Sequence, residues 1–308
     1  MPKLIMLVGP PGSGKSTYAK TSLTHVSNMD NFPVYVNQDS QGKLGHMCTF
    51  ADALGEGKDI IVDRMNFNKV QRLGYLEQAK KKGYETEIHV FHENYHTCLS
   101  RALARKDHET ITDEKGARGA IGFFFKNYER VEDHEATTVY RHYPEGEKPS
   151  AIICDLDGTL ADCTHRRHHV RVPEGKKKNW PAFFAGIKDD VVNKWCADIL
   201  KAMAQQGHRI VYCSGRSENE RRSTVEWLQR HRLDTFPQDD LIRVRHYTEL
   251  YMRMAGDSRQ DSIVKEILLD FEILTRYTPF FIIDDRQQVV DMWRKRGFIC
   301  LQCDYGDF

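Results

Sequence analysis

Short apolar runs alternate with longer stretches of helical period along this chain, and the whole alternation occurs twice. Each apolar run predicts a buried strand and each longer stretch a helix, which together predict a parallel sheet covered on both faces. The first series of predicted strands covers residues 4–8, 34–36, 60–62 and 88–91. The second covers residues 151–154, 210–213, 242–245, 280–283 and 299–302. The pattern therefore predicts the α/β class with two domains.

The two series are separated by residues 143–150, which contain two prolines, one glycine and three charged residues. Such a composition is typical of an exposed connection. We therefore predict a first domain over residues 1–142, a linker over 143–150 and a second domain over 151–308. A length of 308 residues agrees with two domains.

The charge balance excludes a global attraction to polyanions. Lys and Arg number 45 and Asp and Glu 44, so the net charge is only +1, and any nucleic-acid or phosphate site must be local. The apolar run at residues 4–8 is too short for a membrane span or the core of a secretory signal. We therefore expect no membrane association.

Eight scattered cysteines favour reduced thiols in a cytoplasm over a disulfide framework. Cys300 and Cys303 form one C-x-x-C pair. Zinc binding would need a second pair of ligands, so we interpret them as two thiols on the terminal strand.

A glycine-rich phosphate-binding loop follows the first predicted strand. In such a loop, glycines let successive backbone N–H groups face phosphate oxygens at the start of a helix. Lys15 would neutralise the β and γ phosphates, and Ser16 would bind Mg²⁺. The predicted nucleotide-binding residues are Gly9, Gly12, Ser13, Gly14, Lys15, Ser16 and Thr17. This loop predicts ATP and Mg²⁺ as cofactors.

Four further residues complete the candidate site of the first domain. Asp39 is placed by the pattern at the carboxyl end of the second strand, where it could deprotonate an acceptor hydroxyl or cap the next helix. Asp63 ends the third strand and could bind Mg²⁺ or only hydrogen-bond near the loop. Arg101 and Arg105 lie four residues apart on a predicted helix, as a clamp for a triphosphate or as a solvated basic face.

The second domain opens with two carboxylates directly after its first strand, at Asp155 and Asp157. An aspartate can attack phosphorus, and a second carboxylate can protonate the leaving oxygen and then activate water. We therefore assign Asp155 as nucleophile and Asp157 as acid and base. This D-x-D-G-T pattern resembles the first motif of the haloacid dehalogenase (HAD) phosphatase superfamily.

The HAD resemblance extends to later residues in the expected order. It implies that Ser214 binds a phosphate oxygen and that Lys265 neutralises the phosphoryl group. It further implies that Asp284 and Asp285 bind Mg²⁺ together with Asp155, and we include Asp157 among the candidate metal ligands. The second domain is thus expected to be a HAD-type, Rossmann-like phosphatase with a small cap over about residues 161–195.

Taken together, the motifs resemble the phage family of polynucleotide 5′-kinase/3′-phosphatases. The matching segments are residues 12–17, 155–161, 214–216, 264–266, 284–286, 289–294 and 306–308. The resemblance implies a P-loop kinase domain followed by a HAD phosphatase domain, with Asp39 as kinase base and Arg101 and Arg105 as lid arginines. It also implies that Arg216 contacts the substrate phosphate, with Arg259 a weaker candidate.

The implied function is the healing of RNA or DNA ends. ATP would phosphorylate a 5′-hydroxyl, and a 3′-phosphate or 2′,3′-cyclic phosphate would be removed through an aspartyl phosphate. The resemblance further implies a homotetramer, a separate RNA ligase that acts on the product, and a place in the host cytoplasm if the chain is phage-encoded.

The chain departs from the family pattern at three places. Gly42, followed by Lys43, stands where an arginine helps to bind the acceptor phosphate, and Lys43 would lack the bidentate geometry of arginine. A further family arginine corresponds to Arg118 or Arg130. The cap differs in length and is basic, and its aromatics at 180, 183 and 184 either stack a terminal base or form the core of the cap. A histidine metal site in the cap matches no usual spacing.

Two other functions stay open at this point. A metabolite or nucleotide kinase fused to a small-molecule HAD phosphatase would show no dependence on polynucleotide length. A nucleotide-binding scaffold would not need the nucleophile Asp155 and its set of acids and lysine.

Overall fold

A computed structural model of the chain describes residues 1–24, 32–105, 113–173, 175–234 and 249–306. The predicted strand at 242–245 and the last two residues of the 306–308 motif lie outside these ranges. The chain divides into two compact units, Met1–Glu145 and Gly146–Phe308. Among the described residues, no helix combines the length and apolar character needed to cross a membrane.

The first unit is a parallel sheet with helices between its strands. Its strands are β1 Lys3–Val8, β2 Val34–Asn37, β3 Ile60–Asp63, β4 Glu85–Phe91 and β5 Thr138–His142. Its helices are α1 Lys15–Thr24, α2 Gln38–Gly55, α3 Lys69–Lys81, α4 Tyr95–Ala104 and α5 Glu114–Asn127. The strand order is β2-β3-β1-β4-β5, and all neighbouring pairs are parallel.

Burial on both faces explains why the strands of this sheet are continuous apolar runs. Leu4, Met6, Leu7 and Val8 of β1 are fully buried, although successive side chains point to opposite faces. The edge strand β5 was not predicted, because its residues are only partly buried and do not form an apolar run.

The second unit is also a parallel sheet with helices between its strands. Its strands are β6 Ser150–Cys154, β7 Ala161–Asp162, β8 Val191–Val192, β9 Arg209–Ser217, β10 Glu249–Arg253, β11 Thr278–Asp284 and β12 Cys300–Gln302. Its helices are α6 Trp180–Ala185, α7 Lys194–Gln205, α8 Arg221–Arg230, α9 Asp261–Leu268 and α10 Gln287–Lys295. Short 3-10 helices cover Thr164–His169, Ile187–Asp189 and Glu218–Glu220, and a π-helix covers Leu269–Ile273.

The strand order of the second sheet is β10-β9-β6-β11-β12, again parallel throughout. Ile152 and Cys154 of β6 pack into a core that includes Leu200 of α7 and Trp227 of α8. Their neighbours along β6 pack into a separate core with Trp293 of α10. The predicted α/β class with two parallel sheets is therefore confirmed.

A segment is inserted between β6 and the next strand of the second sheet. The short strands β7 and β8 pair antiparallel and close the segment between them. This segment contains the 3-10 helix Thr164–His169 and the helix α6. We call residues 161–192 the cap.

Candidate active sites

The loop after β1 is shaped by glycine backbones. Gly9, Gly12 and Gly14 all have positive φ, and Gly12 (φ 83°) also lies against α4. A Cβ at Gly12 would come within 3.0 Å of the Cα of Cys98 and closer still to its carbonyl oxygen. A side chain at this position is therefore excluded both by the backbone conformation and by space.

Lys15 is the buried cation of this loop and the first residue of α1. Its ammonium group donates hydrogen bonds to the carbonyl oxygens of Gly9 (2.7 Å) and Pro10 (2.8 Å). Burial lowers the pKa of Lys15, whereas the nearby charge of Asp63 raises it. The loop thus has a positive charge and the backbone N–H groups of a helix start, which together suit an anion.

The structure corrects the local placement of Asp39. The strand β2 ends at Asn37, and Asp39 is an exposed residue in the first turn of α2. Asn37 caps this helix by accepting the N–H of Ser40 at 3.0 Å, so the capping role belongs to Asn37. The charge of Asp39 acts on Lys15, which agrees with a carboxylate near the loop. Gly42 interrupts the helix just beyond (φ 71°, ψ 173°).

Asp63 is buried and is engaged by side chains of the neighbouring strand. It accepts the hydroxyl of Tyr35 at 2.5 Å, and the amide of Asn37 lies 3.5 Å from the same oxygen. Burial and the charge of Asp63 raise the pKa of Tyr35, and a hydrogen bond with Ser16 lowers it. Asp63 and Ser16 therefore share one contact, Tyr35, beside the loop.

The two predicted lid arginines differ in setting. Arg101 lies on α4, is half exposed, and forms an ion pair with Glu93 at 2.9 Å. Arg105 is not on the same helical face, because α4 ends at Ala104 and Arg105 is its extended C-cap residue. Its charge nevertheless lowers the pKa of Lys15. Of the two other candidates, Arg118 pairs with Glu114 on α5 and Arg130 with Glu132.

In the second unit, Asp155 and Lys265 form the centre of the site. The N–H of Asp155 donates to the carbonyl oxygen of Ile283 at 3.0 Å, which holds it beside the end of β11. Lys265, fully buried on α9, donates to Asp155 at 2.7 Å and to Asp284 at 2.9 Å. Burial alone would lower the pKa of Lys265, but the surrounding carboxylates raise it well above its usual value. Lys265 is therefore a fixed cation.

Three carboxylates lie close enough to hold one metal ion. Among the described residues, the ligand atoms of Asp155, Asp284 and Asp285 form the single such group, all within 4.8 Å of one another. One oxygen of Asp285, Oδ2, is buried without a hydrogen-bond partner. Burial and the charge of Asp284 raise the pKa of Asp285 to about 7. A buried acidic group with an unpartnered oxygen fits a hard divalent cation such as Mg²⁺.

The side chain of Asp157 does not belong to this group, and its assignment as a metal ligand stays a prediction. Its carboxylate is held by the guanidinium groups of Arg166 and Arg216, each at 2.5 Å. Burial would raise the pKa of Asp157, but the two arginines hold it far below its usual range. The sequence had placed Asp157 only by its spacing from Asp155, which says nothing of the arginines that reach it.

Two residues of this network were missed by the sequence reasoning. Arg166 and Asp190 are both buried, and Asp190 accepts hydrogen bonds from Arg166 (2.6 Å) and from Arg216 (3.1 Å). A third missed residue, Asp261, lies 3.6 Å from Lys265 one turn away on α9. The i to i+4 spacing of Asp261 and Lys265 was a readable signal, whereas nothing in the sequence linked position 190 to 157.

Ser214 and Arg216 lie within β9, which continues to Ser217 and not only to residue 213 as predicted. The hydroxyl of Ser214 accepts the N–H of Arg216 at 3.2 Å. The pairing of β9 with β10 shifts register between Met252 and Arg253, as in a β-bulge. Arg259, the weaker candidate, is paired with Asp257 at 2.6 Å.

A cavity of about 350 Å³ opens over these groups. Its lining includes Asp155, Asp157, Ser214 and Arg216 together with the cap aromatics. Phe183 is 1% exposed and belongs to the core of the cap, whereas Trp180 is 39% exposed. Phe183 is therefore a core residue of the cap, and stacking on a terminal base stays a prediction for Trp180.

Comparison with known families matches both units. Residues 149–308, more than half of the chain, match the model of the polynucleotide kinase PNKP phosphatase domain. Residues 4–119 match the model of an AAA domain.

Several proteins resemble the chain in sequence. A "Putative bifunctional polynucleotide kinase/RNA ligase" of Autographa californica nuclear polyhedrosis virus is 26% identical over 95% of this chain and 41% of its own length. A "Putative bifunctional polynucleotide phosphatase/kinase" of Acanthamoeba polyphaga mimivirus is 31% identical over 27% of this chain and 19% of its own length. The chain therefore spans less than half the length of these relatives.

One solved structure aligned with the chain is the Pnkp1/Rnl/Hen1 RNA repair complex. The aligned protein is 25% identical, and the alignment covers 100% of this chain and 97% of that one with a TM-score of 0.42.

Proposed function

The chain belongs to the family of the polynucleotide kinase PNKP phosphatase domain, and from this premise we propose that it is a two-site enzyme that heals nucleic-acid ends. It transfers the γ-phosphate of ATP to 5′-hydroxyl ends and removes phosphate from 3′ ends. The observation that carries the proposal is the presence, in one chain, of a P-loop around the buried Lys15 and of a separate Asp155–Lys265 centre.

For the kinase we propose in-line transfer to the 5′-oxygen at the site in residues 1–142. Asp39 takes the proton of the attacking hydroxyl as its oxygen bonds to the γ-phosphorus, and the bond to ADP breaks. Lys15, Arg101 and Arg105 bear the charge that develops on the phosphoryl oxygens. Support comes from the action of Asp39 and Arg105 on the pKa of Lys15.

For the phosphatase, in residues 151–308, we assign Asp155 as nucleophile. Its carboxylate oxygen bonds to phosphorus, the bond to the 3′-oxygen breaks, and the leaving oxygen takes a proton from Asp157. Water then attacks the aspartyl phosphate, Asp157 takes its proton, and phosphate leaves. A 2′,3′-cyclic phosphate would need this cycle twice: the first breaks one of its two ester bonds and leaves a phosphate monoester on the other ribose oxygen, and the second releases phosphate.

The protonation state of Asp157 depends on whether substrate is bound. In the absence of substrate, Arg166 and Arg216 keep the pKa of Asp157 low. A carboxyl with such a low pKa is unsuited to act as a general acid. An incoming phosphate accepts from Arg216 and adds negative charge beside Asp157, and both changes raise the pKa of that carboxyl. Ser214 would donate to a phosphate oxygen. Burial and the neighbouring carboxylates raise the pKa of Asp155 well above its usual value, and the charge of Lys265 opposes this shift.

We assign one Mg²⁺ to Asp155, Asp284 and Asp285, and a second to Ser16 with Asp63. Mg²⁺ supplies neutralisation of phosphate charge at both sites. The orphaned oxygen of Asp285 supports the first assignment. The contacts of Asp63 with Tyr35 and Asn37 suit a carboxylate that orients the water shell of the second ion.

The remaining parts of the proposal concern partners and setting. We propose RNA and DNA ends as substrates, a separate RNA ligase as the next enzyme, a homotetramer, and action in the cytoplasm of a host cell infected by a bacteriophage. The names of the viral relatives, a kinase/RNA ligase and a phosphatase/kinase, support nucleic-acid ends over the metabolite alternative.

The test is one incubation with Mg²⁺, γ-labelled ATP and an oligonucleotide that carries a 5′-hydroxyl and a 3′-phosphate, with a mononucleoside 3′-phosphate as comparison. Asp39→Ala should abolish 5′ labelling and spare 3′ dephosphorylation, and Asp155→Asn should do the reverse. Asp52→Ala, an exposed acid on the same helix α2, and Asp198→Asn are the matched controls. Loss of both activities in either variant would refute the proposal of two separate sites. Turnover of the mononucleotide alone would refute a polynucleotide substrate.

A further inference from the structure

The cavity over Asp155 combines two kinds of lining. The core of the unit contributes Ser214, Arg216 and further arginines, which suit phosphate oxygens. The cap contributes Trp180 and Phe184, which offer no donor to a phosphate apart from one indole N–H. An aromatic surface beside phosphate-binding groups suits a phosphate ester that carries a planar base.

Trp180 is held at the cavity by the packing of α6. Asn179 caps this short helix by accepting the N–H of Ala182 at 3.2 Å. Phe183 is buried beneath the guanidinium of Arg166, 4.0 Å from its ring centre. The Trp180 ring packs edge-on against Phe183 at 5.7 Å and stacks against Phe184 at 5.8 Å. The ring thus packs on Phe183, which in turn contacts Arg166, the arginine that is paired with Asp157.

The side chain of Trp180 is exposed where it lines the cavity. The side chain of Trp180 is 39% exposed although its neighbour Phe183 is buried. The ammonium of Lys178 lies over the Trp180 ring, 5.6 Å from its centre, so a stacking base would displace this cation from the ring face. An aromatic face next to cations is the combination that binds a nucleobase and its adjoining phosphodiester.

We propose that Trp180 stacks on the base of the 3′-terminal nucleotide and is a specificity-determining residue of the phosphatase. This inference rests on the proposed function. The cavity volume of about 350 Å³ lies at the low end of ligand sites and suits a single nucleotide unit. The enzyme then selects a 3′-phosphorylated nucleotide by its base as well as by its phosphate.

The experiment compares two substrates across four proteins. The substrates are an oligonucleotide 3′-phosphate and the same oligonucleotide with an abasic 3′-terminal residue. The proteins are the wild-type chain, Trp180→Ala, Trp180→Phe and Trp195→Ala. Trp195 is the matched control, since it is 44% exposed on α7 and does not line the cavity. The readout is kcat/KM for phosphate release.

Wild-type enzyme should prefer the base-bearing end by about 5- to 140-fold, the range expected for stacking one base on an aromatic ring. Trp180→Ala should remove this preference by slowing the base-bearing substrate alone, Trp180→Phe should keep most of it, and Trp195→Ala should keep all of it. The unchanged abasic rate shows that Trp180→Ala is folded.

Three outcomes would overturn the inference. Equal rates on both substrates in the wild type would leave the phosphatase in place without base recognition. An equal loss on both substrates in Trp180→Ala would make the residue a structural part of the cap. Absence of phosphate release from either oligonucleotide in the wild type would refute the proposed function itself and this inference with it.

Discussion

Gly215→Ala should disable the phosphatase site by displacing Asp261. Gly215 lies in β9 between Ser214 and Arg216, with a backbone conformation open to any residue. A Cβ there would lie 2.9 Å from the Cγ of Asp261 and closer to its Oδ1, whereas ordinary contact begins at 3.4 Å. The buried carboxylate must therefore retreat by more than 0.5 Å from its contacts with Lys265 and Arg253. Displacements of this order cost about 10- to 100-fold in rate.

The assay is kcat/KM for 3′-phosphate release, with 5′ phosphorylation by the same preparation as the internal control. The kinase rate should be unchanged, because Gly215 and the P-loop lie in different units. If the collision is the cause, Gly215→Ala should add little to the loss already caused by Asp261→Ala. Full phosphatase activity in Gly215→Ala, or losses that multiply in the double variant, would refute the reasoning.

Two further predictions concern stability and metal binding. Arg72→Ala should destabilise the first unit by about 3–5 kcal/mol. The reason is that Arg72 is fully buried and donates hydrogen bonds to Glu135 at 2.6 Å and 2.9 Å. Hydrogen exchange of the β1 amides measures this loss, and the exposed Arg118→Ala is the control that should change nothing. Because the pKa of Asp285 is raised to about 7, Mg²⁺ must expel a proton to bind. Calorimetry should therefore show that the wild-type protein binds Mg²⁺ more weakly as the pH falls through 7. Asp285→Asn, which lacks this titrating group, is the reference. A pH-independent affinity of the wild-type protein would contradict the assignment.

The fold and the residues at the carboxyl ends of its strands could be predicted because they depend on sequence patterns that are local in the chain. Apolar runs predicted four of the five strands of the first sheet, and parallel strands bring their carboxyl ends to one edge. That geometry is why Asp155, Ser214 and Asp284 meet although they lie far apart in sequence. The edge strand β5 was missed because an edge is only partly buried and its residues form no apolar run.

The surroundings of each side chain could not be predicted, because they depend on which distant segments pack together. The spacing of Asp155 and Asp157 is a local fact, but the clamp on Asp157 comes from Arg166 in the cap and Arg216 in β9. The position of Asp39 shifted from strand to helix because Asn37 supplied the cap.

By itself, then, the sequence determined the two parallel sheets, the glycine-rich loop and the pair of carboxylates after β6, since each is encoded by residues close together in the chain. Only the tertiary structure decided that Asp157 is paired with arginines and not grouped with Asp155, Asp284 and Asp285, and that Trp180 lines the cavity while Phe183 is buried. The physical reason is that charge, pKa and exposure are set by the neighbours that long-range packing supplies.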